Sequence, residues 1–237
     1  MNANETAEYL RIEPNELFKL MRQGEIPFKG DPLANPLFDQ KEIDAWASQR
    51  ILGLKGKQLA KYDADRIIGK HSEAEVHISE LISADRICLG MTSKTKTSVL
   101  ADVTQFADEA GLLYDPKDLF ESLHSREELC STGLANGVAI LHPRYHDPYL
   151  VPEPFLVLAR TERPIPFGAP DDSTTDLFFL LVCTDDRLHL HSLARLCMMF
   201  TKTDLLDEIR ELETPEEILA AIQRAEAQVT QGSPQKP

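Results

Sequence analysis

The sequence predicts an α/β domain with helices on both faces of a sheet, preceded by a small helical unit. Three observations carry this expectation. From about Ile78 to about Ala225, segments of strand character and segments of helical periodicity alternate along the chain. Within that region the run Leu177-Phe178-Phe179-Leu180-Leu181-Val182 is apolar without interruption, as suits a central strand buried on both faces. Before it, residues 4–50 hold short apolar-periodic segments separated by Pro14, Gly24 and a Gly/Pro/Asn-rich stretch.

The elements follow in order. Ala7, Leu10, Leu17, Leu20 and Met21 are spaced for two short packed helices, with Pro14 at the first position of the second helix and Gly24 at its end. Residues 29–36 read as loop, and residues 40–49, with Ile43 and the only tryptophan, Trp46, as a third helix. Lys55, Lys57, Lys61, Arg66 and Lys70 mark a basic linker, helical around 58–68. Strands are expected at 86–91, 138–141, 155–159 and 176–183, and helices at 95–110, 116–130 and 189–200. Thr214-Pro215-Glu216-Glu217 is a capping box with proline at the first helical position, opening the last helix. Residues from about Thr230 onward are polar and read as a disordered tail. The expected boundaries are 1–52, a linker over 53–77, 78–229 and 230–237.

The 237 residues suffice for one or two cores, and no internal repeat is present. The formal net charge of −14 argues against broad, non-specific nucleic-acid binding. No stretch reaches the roughly 20 apolar residues of a membrane span. The polar start, residues 1–8, is not a signal sequence, so a cytoplasmic protein without membrane insertion is expected. Cys88, Cys130, Cys183 and Cys197 are far apart and lack metal-ligand spacing, which fits reduced thiols.

The chemistry concentrates in residues 131–144, STGLANGVAILHPR. Two glycines, a Ser-Thr pair and an asparagine precede a short apolar segment ending in His142, with Arg144 beside it. Backbone N–H groups in such turns bind anions, Ser131 and Thr132 add hydroxyl donors, and a neutral imidazole is a competent nucleophile near pH 7. A structural histidine at a strand end is the competing reading.

The motif STG-x-x-x-GVAI-x-H, the run LHSREELCSTG before it, the segment ERPIPFGAPDDSTTDLFFLLV and the later HLHSLARL occur in the order and spacing of a known family. On these residues, 78–225 resembles the fructose/mannitol/nitrogen-regulatory enzyme IIA domains of the phosphotransferase system. The resemblance implies a mixed sheet flanked by helices. It implies His142 as the acceptor of a phosphoryl group from an HPr-like carrier, and His189 as the neighbouring imidazole. Arg126 would supply positive charge, with Ser131, Thr132 and Arg144 around the phosphate and all side chains converging on a shallow surface site. It implies no metal and no cofactor. Two positions depart from the family pattern: Leu141 stands for the usual proline before the histidine, and Pro143 for the usual glycine after it.

Residues 4–50 are similar to the winged helix-turn-helix modules of the excisionase and MerR-like group. The matching text is ETAEYLRIEPNELFKLMRQGEIPF followed by KEIDAW. That resemblance implies a second helix facing a DNA groove through Asn15, Lys19 and Arg22. Residues 1–52 hold six Lys/Arg against nine Asp/Glu, so a regulatory protein target stays open beside DNA. Three functions remain: a regulatory phosphocarrier with an N-terminal output module, a sugar-uptake enzyme IIA feeding a separate permease, and a non-phosphorylated binding protein of the same fold. No enzyme IIB segment or membrane span accompanies the domain, which favours the first.

Overall fold

The computed structural model describes residues 1–10, 12–31, 35–53, 59, 76–145 and 150–231. The chain divides into two compact units, Met1–Ser72 and Glu73–Pro237. The linker expected over 53–77 and the tail after 231 fall almost entirely outside the described residues.

The first unit holds α1 (Ala3–Leu10), α2 (Pro14–Gln23) and α3 (Gln40–Gly53). Pro14 opens α2, and Gly24 ends it with a φ of 69°, its N–H turned back to the carbonyls of Leu20 and Met21. Leu10, Leu17, Leu20, Ile26, Ile43 and Ile51 form the core of the unit. Lys29 and Leu37 exchange two backbone hydrogen bonds of 2.8 Å each, an antiparallel bridge between α2 and α3. Trp46 donates its indole N–H to the carbonyl of Glu25, and Arg50 pairs with Glu16 at 3.1 Å.

The second unit carries a four-stranded mixed sheet of order β1-β3-β4-β2, where β1 is Ile87–Met91, β2 Val138–Leu141, β3 Phe155–Pro166 and β4 Thr174–Val182. β3 and β4 are antiparallel, while β1 runs parallel to β3 and β2 parallel to β4. Its helices are α4 (Ile78–Leu81), α5 (Lys96–Glu109), α6 (Pro116–Leu129), α7 (Asp186–Lys202), α8 (Leu205–Glu211) and α9 (Pro215–Gln231). β4 lies between two strands and is covered on both faces, as its apolar run requires.

Strand alternation divides the core. Ala139, Leu141, Val157, Ala159, Phe178 and Leu180 pack with Val99, Val103, Leu119 and Leu123 of α5 and α6. The alternate residues face the other side, where Phe179 meets Phe200 of α7 with ring centroids 4.8 Å apart. Helix starts are specified locally. Asp115 accepts from the N–H groups of Lys117 and Asp118, Asp185 accepts from that of Leu188, and Thr95 forms a reciprocal cap with Ser98.

Several spans differ from expectation, three of them with a clear physical reason. β3 continues to Pro166 rather than 159, because a register irregularity between Arg160 and Ile165 lets it re-pair with the start of β4 at Thr174 and Thr175. α7 starts at Asp186, since its cap is Asp185 and not a residue near His189. α8 stands as a separate short helix whose last carbonyls, those of Ile209, Arg210 and Leu212, accept from Arg160 Nη1.

Candidate functional site

His142 sits one residue beyond β2, where alternation turns it to the same side as Ile140 and away from Leu141. Parallel pairing of β2 with β4 brings this strand end to the start of α7, which follows β4 directly. His189, in the first turn of α7, therefore meets His142, with ring centroids 4.9 Å apart and planes inclined by 42°. Arg126 comes from the last turn of α6 and completes the group.

The hydrogen bonds around His142 fix its tautomer. Nδ1 lies 2.9 Å from the carbonyl of Ile140, and a carbonyl can only accept. Nε2 lies 3.0 Å from Nε of Arg126, and a guanidinium can only donate. The imidazole is thus neutral, with its proton on Nδ1 and its lone pair on Nε2. Arg126 also donates from Nη1 to the carbonyl of Cys130 at 2.8 Å, while its Nη2 is buried and has no hydrogen-bond partner among the described residues. Burial pulls the Arg126 guanidinium below its usual pKa, and the adjacent Glu127 carboxylate opposes that pull.

The expectation is a shallow surface site; the three residues do meet, but below the surface. His142 and Arg126 are each 2% exposed, and His189 is fully buried. The walls explain the difference: the imidazoles sit between the sheet end and α7, whose residues 192–200 are all buried. His191, two residues on, is half-buried.

The proposed phosphate-side residues are held by the fold. Ser131 donates its hydroxyl to the carbonyl of Phe167 at 2.6 Å and accepts from the N–H of Gly133. Thr132 gives both its N–H (2.9 Å) and its hydroxyl (2.7 Å) to Oε2 of Glu127. Arg144 donates its backbone N–H to Ser122 and lays its guanidinium over the Tyr145 ring, 5.1 Å from the centroid. Glu127 and Lys96 are the residues that sequence reasoning missed. Glu127 Oε1 accepts from Lys96 Nζ at 2.9 Å, and that ammonium also stands 5.0 Å from the centre of the Phe167 ring. A glutamate beside an arginine on a helix reads as a solvated pair, so nothing in the sequence distinguishes it.

No group of His, Cys, Asp and Glu capable of holding a metal occurs among the described residues. Of the four thiols only Cys130 is exposed. Burial pushes Cys183 well above the usual thiol pKa and Cys197 up to about 12, so neither is a nucleophile near neutrality.

On the first unit, Asn15, Lys19 and Arg22 are all exposed, and their spacing places them on one face of α2. Phe18, 38% exposed, belongs to the same face. No described helix is long and apolar enough to cross a membrane.

Comparison with known proteins finds relatives of the second unit. The chain is similar to the nitrogen regulatory protein of Pseudomonas aeruginosa, 27% identical over 143 residues that make up 60% of this chain and 91% of that protein. It is 27% identical over 147 residues to the fructose-specific EIIABC component of the phosphotransferase system of Bacillus subtilis, covering 61% of this chain but 23% of that longer protein. The crystal structure of nitrogen regulatory protein IIA-Ntr from Neisseria meningitidis superposes with a TM-score of 0.55 at 29% identity, covering 61% of this chain and 98% of that one. Residues 80–225 match the family profile described as phosphoenolpyruvate-dependent sugar phosphotransferase system, EIIA 2, and the chain belongs to that family.

Proposed function

We propose that this protein is a regulatory phosphocarrier that accepts a phosphoryl group on Nε2 of His142 from an HPr-like phosphohistidine. The observation that carries this reading is the pair of contacts on one imidazole, Nδ1–H to Ile140 O and Arg126 Nε–H to Nε2. They leave a single nucleophilic nitrogen, place a cation on it, and keep the proton on the opposite side of the ring. In the transfer, the Nε2 lone pair forms the new N–P bond as the donor's N–P bond breaks. The electron pair returns to the donor imidazole. Nδ1 keeps its proton on Ile140 O, so no proton needs to leave.

As the phosphorus approaches, Arg126 gives up its contact with Nε2 and turns its donors, the unpartnered Nη2 among them, onto the phosphoryl oxygens. His189, stacked 4.9 Å away, bounds the same volume. Positioning and charge neutralisation are what a loose phosphoryl transition state needs. Nitrogen regulatory proteins recur among the relatives that this chain matches over most of their length, and this supports regulation over sugar uptake.

The test is incubation of the full chain with phosphoenolpyruvate, enzyme I and an HPr-like carrier of either the sugar or the nitrogen branch. Intact mass is expected to rise by one phosphoryl group, in an acid-labile, base-stable linkage. A mass unchanged with both carriers would leave a non-phosphorylated binding protein of this fold.

The first unit is proposed as the output module, contacting DNA or a regulatory protein in the cytoplasm. The exposed set Asn15, Lys19 and Arg22 on α2 and the Lys29–Leu37 antiparallel bridge that follows support this reading. Glu16, which would repel phosphate, is already paired with Arg50. Binding of the full chain to a labelled pool of random duplexes is expected to select a sequence, and Lys19→Glu with Arg22→Glu is expected to abolish the selection. No selected sequence would direct the search to a protein target.

A further inference from the structure

The bonds around His142 do not end at Arg126 and Ile140. Followed in the direction of donation, Arg126 Nε–H goes to His142 Nε2 at 3.0 Å, and His142 Nδ1–H to Ile140 O at 2.9 Å. Ile140 N–H goes to Thr132 O at 3.2 Å. Thr132 N–H and Oγ1–H go to Glu127 Oε2 at 2.9 and 2.7 Å. Glu127 is joined by a peptide bond to Arg126, where the series began. Every donor points the same way round the ring, from the guanidinium toward the carboxylate. Within Thr132 and within Ile140 the donating N–H and the accepting carbonyl sit on neighbouring peptide groups of one residue, so the bonds couple Glu127 to His142 by holding both backbone segments in place.

Glu127 is built for this place rather than left over from a surface pair. Its side chain is only 7% exposed. A buried carboxylate needs partners for both oxygens. Oε2 takes the two Thr132 donors and Oε1 takes Lys96 Nζ at 2.9 Å. The same carboxylate therefore ties the end of α6, the turn at residues 131–133 and the start of α5 to one another. Thr132 in turn reaches β2 through Ile140 N–H, while Gly133 bridges Ala139.

We propose that Glu127 is a positioning residue for His142, setting the Nδ1–H tautomer and the aim of Nε2 through the Thr132–Ile140 segment. It touches neither the imidazole nor the incoming phosphoryl group, and no proton moves along the ring. The inference rests on His142 being the acceptor, but its structural half stands without that reading.

The experiment uses the full chain labelled with nitrogen-15 and long-range imidazole spectra at a pH where His142 is neutral. The wild type is expected to show His142 as a single Nδ1–H tautomer. Glu127→Gln removes the charge at the end of the ring and is expected to populate the Nε2–H tautomer visibly. It should also slow phosphoryl acceptance by roughly 10–100-fold, the range typical of partners that orient a reactive imidazole. Thr132→Val, which removes only the hydroxyl, should move both readouts in the same direction by less, and Thr132→Ser should restore them. Lys96→Met, on the other oxygen, should leave the tautomer as in the wild type.

Unchanged tautomer in Glu127→Gln overturns the proposal, even if acceptance slows. If that variant does not fold, an unchanged tautomer in Thr132→Val overturns it. A wild-type chain that takes no phosphoryl group overturns the acceptor reading alone, because the tautomer still reports on Glu127.

Discussion

His142→Ala is expected to abolish phosphoryl acceptance completely while leaving a folded chain. The reason is the pair of contacts on this ring: the guanidinium on Nε2 and the opposing Nδ1–H contact single out Nε2 as its nucleophile. Folding should survive because His142 lies past the end of β2 and contributes no strand pairing. Stability should nevertheless fall. The substitution strips Ile140 O of a donor and Arg126 Nε of an acceptor in a buried site, at about 1–3 kcal/mol for each group left unpaired. For a unit of this size that corresponds to a melting temperature lowered by roughly 2–4 °C per kcal/mol. Intact mass after incubation with the donor system reads the first effect, and thermal unfolding reads the second. Label retained in the alanine variant, on His189 or elsewhere, would show the acceptor to be misassigned.

Much of the sheet was legible in the sequence because apolar patterning reports burial directly. The run 177–182 could only be a strand covered on both faces, and β4 is the interior strand with that cover. The second half of β3 was not legible. Thr161, Glu162, Arg163 and Pro164 alternate with no apolar face, and their pairing comes from a register irregularity that no local pattern announces. Helix starts were readable where the cap is a strong one, as at Thr214-Pro215, whose hydroxyl accepts from the N–H of Glu217. Asp185 was missed because Asp185 and Asp186 lie next to one another and either could cap.

The meeting of Arg126, His142 and His189 was legible, and its depth was not. The alternation that buries Leu141 in the core turns His142 to the α7 side, and this much follows from a period of two. That Arg126, His142 and His189 should all be nearly sealed from solvent does not follow, since arginine and histidine are usually exposed and only tertiary walls bury them. Glu127 is the sharpest case. Its lysine partner lies 31 residues away and its two Thr132 donors lie in the turn just after its own helix, so no helix spacing rule contains it. The departures at Leu141 and Pro143 now have locations. Leu141 packs in the core shared with α5 and α6, and Pro143 is buried beside the imidazole, where it offers no N–H to a phosphoryl group. The side chain of Arg126 does offer a donor, 3.0 Å from Nε2.

Substitution of Arg126 should accordingly be the most damaging change short of removing the histidine. Arg126→Met keeps length and apolar bulk but deletes the charge and the donors. Loss of a single donor aimed at developing charge typically costs about 10²–10³ in rate, and Arg126 supplies more than one, so acceptance should fall at least that far. Arg126→Lys keeps the charge but not the fork. A single ammonium cannot reproduce the Nε contact with His142 and the Nη1 contact with Cys130 O together, and the expected loss is intermediate, roughly tenfold to a hundredfold. The two variants separate charge from geometry. If the guanidinium acts on the transferring group, the rate should fall steeply while the affinity of the unphosphorylated donor carrier for this chain changes little. If Arg126 merely braces α6 through Cys130 O, both variants should lose stability in parallel with activity, and adding a stabilising osmolyte should recover the rate. Single-turnover transfer from phosphorylated carrier, followed beside thermal unfolding of the same samples, decides between them. A methionine variant that accepts the phosphoryl group at the wild-type rate would remove Arg126 from the mechanism and leave the imidazole pair to act alone.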